Sequence, residues 1–96
     1  MLIKAGVDIY RLNREIRRAL PIIQKALTYY NEELVITSTY EGTHGEGSLH
    51  YCNDAIDIRC PEEKGEEFRK KIKERLVNYF DVVLERDHIH IEYDPK

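Results

Sequence analysis

No stretch of this sequence stays apolar for the ~20 residues that a membrane-spanning helix requires, so no membrane span is expected. The first residues, Met1-Leu2-Ile3-Lys4, lack a signal-peptide pattern, and the chain is expected to be cytoplasmic as synthesised. Basic excess is missing too. The formal net charge is −3, which argues against a nucleic-acid partner, since such proteins present a basic face. The one basic cluster, Arg69-Lys70-Lys71 with Lys73 and Arg75, is interleaved with glutamates and reads as a solvated helix face. Cysteine is scarce: Cys52 and Cys60 stand seven residues apart in the interval and read as reduced thiols, with a disulfide or metal ligation as the other options. No internal repeat or low-complexity tract is present.

What remains is one domain, residues 1–96. At that length the core is thin, and a bound metal is a useful additional constraint. Leu12, Ile16, Leu20, Ile23, Leu27 and Tyr30 recur at helical spacing, with Asn13 as N-cap and Pro21 as a kink inside the helix. Glu33 to Tyr40 is rich in β-branched residues and reads as a strand. Glu41 to Ser48 carries three of the five glycines and reads as a loop, with His44 a solvated member of it. Ala55 to Cys60 is a second strand. Pro61 opens a second helix, whose buried face is Phe68, Ile72, Leu76 and Tyr79. Asp81 to Arg86 and His88 to Glu92 read as strands joined by a tight connection. The class is α+β, with helices on one face of a mainly antiparallel sheet.

Side chains alternate across a strand. In Ala55-Ile56-Asp57-Ile58-Arg59 the isoleucines take one face and Asp57 the other. In His88-Ile89-His90-Ile91-Glu92 the isoleucines again share a face, and both histidines oppose it. The isoleucines must meet the helices, so Asp57, His88 and His90 belong to the open face. His50 lies just ahead of the Asp57 strand. If the two strands are neighbours, His50, Asp57 and His90 can meet around one ion. Two imidazoles and a carboxylate suit Zn²⁺ with a fourth position left for water, and they also suit other divalent ions. His-x-His alone is more often an exposed polar face; the added His-x6-Asp makes a metal site the better reading.

At these residues the sequence resembles the zinc D-alanyl-D-alanine carboxypeptidases and dipeptidases and the L-alanyl-D-glutamate endopeptidases, whose fold the Hedgehog signalling domain shares. The family pattern Ser-x-His-x-x-Gly-x-Ala-x-Asp stands here as Ser48-Leu49-His50-Tyr51-Cys52-Asn53-Asp54-Ala55-Ile56-Asp57. The distant His-x-His stands as Asp87-His88-Ile89-His90. Ile36 to Tyr40 resembles the strand that precedes the site. The resemblance runs from about Val35 to Glu92.

It implies a monomeric zinc peptidase with one Zn²⁺ per chain held by His50, Asp57 and His90, acting on a peptide substrate of the peptidoglycan stem-peptide kind. It implies Asp87 as general base and Ser48 as a contact for a substrate carboxylate. His88 is expected to stabilise the oxyanion, or to serve as a fourth ligand. Glu92 is either a surface residue or an outer partner of a ligand histidine. Asn53 replaces the family glycine and is expected to take a positive φ. Glu41 stands where many relatives carry an arginine, which keeps a non-catalytic, zinc-bound recognition module open as the second function. Action on a cell wall requires delivery by another route.

Overall fold

The computed structural model describes residues 1–39, 53–60, 62–76 and 78–95. Among these residues it has two helices and a five-stranded mixed sheet. In chain order these are β1 (Leu2–Ile3), α1 (Arg14–Thr28), β2 (Val35–Ser38), β3 (Ala55–Arg59), a 3-10 turn (Glu62–Lys64), α2 (Gly65–Leu76), β4 (Phe80–Leu84) and β5 (His88–Tyr93). The sheet order is β1-β2-β3-β5-β4. All neighbours are antiparallel except β1 and β2, which run parallel. No helix among the described residues is long and apolar enough to cross a membrane.

The α+β class and the antiparallel centre of the sheet follow from the alternation. Ile56, Ile58, Ile89 and Ile91 are buried in one core with Ile16, Leu20, Ile23 and Leu27 of α1 and Phe68 and Ile72 of α2. Burying a large aliphatic or aromatic side chain is worth about 1.5–3 kcal/mol, so the sheet is held to the helices by its isoleucine face. Among the described residues no helix covers the polar face of β3 and β5.

Several local expectations change. Asn13 occupies the N-cap position of α1, but its side chain makes no cap bond. Its amide donates instead to Asp54 Oδ1 at 2.7 Å, and its backbone N–H donates to the Asn53 carbonyl at 3.0 Å. Together these pin the start of α1 to the chain just ahead of β3. Helix α1 contains Pro21 within its span, as the spacing predicts. Tyr79, expected on the buried face of α2, lies beyond the end of that helix with φ of 68°, and is exposed. The helix stops at Leu76, and Tyr79 turns the chain into β4. Asn53 has φ of 63°, the left-handed conformation that Asn tolerates better than most residues.

Candidate metal centre on the open face of the sheet

Strands β3 and β5 are direct neighbours, and their register pairs Asp57 with His90 and Arg59 with His88. The three expected residues of these strands therefore share a face. Asp57 Oδ1 and His90 Nδ1 lie 2.9 Å apart. His88 Nε2 is 3.8 Å from the same oxygen. On the other side of His90, its Nε2 is 3.4 Å from Glu92 Oε1. His88 Nδ1 lies 2.8 Å from Asp87 Oδ1. Carboxylates and imidazoles thus alternate across the face in the order Asp87, His88, Asp57, His90, Glu92.

An ionised carboxylate only accepts hydrogen bonds. In the metal-free pair, His90 Nδ1–H accordingly donates to Asp57, and His88 Nδ1–H donates to Asp87. Asp57 is held where it is from the β2 side as well. β2 and β3 pair antiparallel through a bulge that sets Ser38 against Asp57, and the Thr37 hydroxyl donates to the Asp57 carbonyl at 3.3 Å. Asp87 sits in the β4–β5 turn, which the Glu85 N–H closes on the His88 carbonyl at 2.9 Å. Its side chain is 84% exposed. It combines the turn role with a side-chain contact to His88, and that hydrogen bond draws its carboxyl below the ordinary aspartate value.

Two ligand atoms on one tetrahedral zinc lie ~3.3 Å apart, from bond lengths of ~2.0–2.1 Å. The 2.9 Å Asp57–His90 pair is within a few tenths of an ångström of that separation, and an oxygen–nitrogen set suits zinc. These two residues fit as two donors. No set of three donors that includes Asp57 closes to within 4.8 Å among the described residues, so a zinc ion held by this pair would need a third ligand from elsewhere. His50, the expected third ligand, lies outside the described residues, as do Ser48, His44, Glu41 and Cys52. Cys60 is buried behind the sheet, and burial pushes its thiol upward.

The sequence pattern did not reveal that Asp81, Glu92 and Asp94 approach one another within 4.8 Å. Asp81 is the β4 partner of Glu92. The hairpin register was the missing information, because face alone does not say which residues stand opposite. Three carboxylates without nitrogen or sulfur are a poor zinc set, and such acidic groups commonly hold no ion. A cleft of about 870 Å³ opens elsewhere, between residues of the N-terminal segment such as Ile3, Val7 and Ile9 and the α1 residues Leu20 and Pro21. None of Asp57, His88 or His90 lines it. Among the described residues its lining is mostly apolar, with Asp8, Tyr10, Arg17 and Gln24 as polar members.

His90 has a pH signature. Its hydrogen bond to Asp57 raises its pKa; burial opposes the shift, and the Asp57 and Glu92 charges reinforce it. A histidine raised in the folded state contributes stability that is complete below the unfolded value of ~6.5 and is lost as pH rises through the folded value. Metal-free protein should therefore show a lower urea midpoint at about pH 8.5 than at about pH 5.5. The His90→Gln variant should lose this part of the slope. An unchanged slope in that variant would show that other groups carry it.

Comparison with family models, curated proteins and solved structures gives no match.

Proposed function

We propose that this chain is a zinc-dependent metallopeptidase with a Hedgehog/DD-peptidase-like fold, hydrolysing D-amino-acid-containing peptides of peptidoglycan. One observation carries the reading: Asp57 and His90, far apart in sequence, are direct cross-strand partners with oxygen and nitrogen 2.9 Å apart on the face away from the helices, and His88 lies beside them. The resemblance supplies the rest of the assignment.

His50, Asp57 and His90 would hold one zinc per chain. Bound there, zinc would lower the pKa of a water and polarise a peptide carbonyl. Asp87 would accept the proton of the attacking water through a bridging water, because the His88 ring stands between its carboxylate and Asp57. Its hydrogen bond to His88 turns that ring so that Nε2 faces Asp57. As the imidazolium, with Nδ1–H on Asp87 and Nε2–H as the donor, His88 would meet the carbonyl oxygen as that atom gains charge, and Ser48 would contact a substrate carboxylate. A second reading, a zinc-bound recognition module without hydrolysis, is favoured by Glu41 where relatives carry an arginine.

Mass spectrometry of peptidoglycan fragments incubated with zinc-loaded protein separates the two. New amines are expected, and Asp87→Ala should retain zinc while cleavage falls ~10²–10⁴-fold, the usual worth of a general base. Binding of the fragments without cleavage would point to the module. Stoichiometric zinc in His50→Ala would remove His50 from the ligand set.

A further inference from the structure

The geometry points to Glu92 as the positioning residue that fixes the tautomer of His90 for metal binding. The inference rests on the metal reading above, but not on catalysis. In the metal-free pair His90 Nδ1 carries a proton and donates it to Asp57 at 2.9 Å. A cation shared by Asp57 and His90 has to take the lone pair of that same nitrogen, because Nδ1 is the ring atom turned toward Asp57. The remaining ring proton must then reside on Nε2. That atom is 3.4 Å from Glu92 Oε1.

An imidazole bound through one nitrogen becomes a better ligand when its other N–H donates to a carboxylate, which also stops the ring from rotating. Strand geometry places Glu92 for this task. It stands two residues beyond His90 on the same face of β5, and its β3 partner is the small Ala55. The side chains of His90 and Glu92 are 20% and 23% exposed, so water only partly weakens the contact. On its β4 side Glu92 faces Asp81, a like charge. Like charges directly opposite on a sheet are unfavourable, so the Glu92 carboxylate has no evident use in holding β4 to β5. A surface glutamate kept for sheet stability would more naturally face a lysine or an arginine.

The test is zinc affinity of the full chain, measured without substrate by competition with a chromophoric chelator. Glu92→Ala should bind zinc ~10–100-fold more weakly, the usual effect of removing an outer carboxylate. Glu92→Gln keeps an oxygen that can accept from Nε2–H and should recover most of the affinity. Long-range ¹H–¹⁵N correlation spectra of the zinc-loaded wild type should show the His90 proton on Nε2. At a pH above the raised His90 value, where the charge of that ring no longer contributes, metal-free Glu92→Ala should unfold at the same urea concentration as wild type or a higher one, which a purely structural glutamate would not allow.

Zinc affinity within twofold of wild type in Glu92→Ala, with zinc lost in Asp57→Ala, would overturn the role of Glu92 and leave the metal site standing. A His90 ring that keeps its proton on Nδ1 in the zinc form would place the ion on the Glu92 side and overturn it as well. A wild-type chain that takes up no zinc would sink the metal reading itself and Glu92's role with it. Failure to cleave peptides bears on the peptidase reading alone.

Discussion

Asp57→Ala should leave the protein unable to hold zinc at micromolar concentrations, with peptide cleavage at background. Asp57 is the middle member of the row of acids and imidazoles. Its Oδ1 lies 2.9 Å from His90 Nδ1 and 3.8 Å from His88 Nε2. Removing it deletes a ligand. It also deletes the group that aims a second ligand, so the loss should exceed the ~10–100-fold typical of an outer partner alone. Asp57→Asn preserves shape and removes charge, and should bind almost as poorly. The same variants should flatten the pH dependence of metal-free stability, because the Asp57 hydrogen bond is the main cause of the raised His90 pKa. Elemental analysis and the urea midpoint give two independent readouts. Stoichiometric zinc in purified Asp57→Ala would place the ion elsewhere on the molecule.

The second large effect concerns the core. Phe68 lies on α2, almost wholly buried, with its ring centroid 4.7 Å from that of Tyr30. Phe68→Ala removes the contact between the segment after α1 and the face of α2 that meets the isoleucines. Truncations of this kind cost ~3–5 kcal/mol. A domain of this length has a total stability of roughly 5–15 kcal/mol, so a large part of it would go. Denaturant titration should show a much lower midpoint. Zinc at about a thousand times its Kd should return ~4 kcal/mol if it binds only the folded state. That rescue should be absent in a Phe68→Ala, Asp57→Ala double variant. A Phe68→Ala midpoint close to wild type would mean that the helices can repack without the ring.

The two predictions rest on features of different legibility. The isoleucine face was visible because two strands alternate with period 2 and the apolar set can go only inward. Helix α1 was visible because Ile16, Leu20, Ile23 and Leu27 repeat at 3.6-residue spacing, and those residues are buried. Strand β1 was not visible. Two residues carry no periodicity, and Leu2 and Ile3 become a strand only because β2 lies parallel to them. Tyr79 extended the apolar stripe of α2 in sequence, yet the helix ends before it. The Asn13 amide was expected to cap its own helix, but a carboxylate brought in from Asp54 is the partner it meets.

The candidate site divides along the same line. Alternation along β3 and β5 settled by itself that Asp57, His88, His90 and Glu92 lie on the face away from the helices, since the isoleucines between them must be buried. It did not settle which residues stand opposite. A slip of two residues keeps every side chain on its face, and would set Asp57 against His88 or Glu92. Only the tertiary structure decided on His90, through the packing of Ile56 and Ile58 against Ile91 and Ile89 in the shared core. Face is a property of one strand and its period; register is a property of two strands and of what they are packed against.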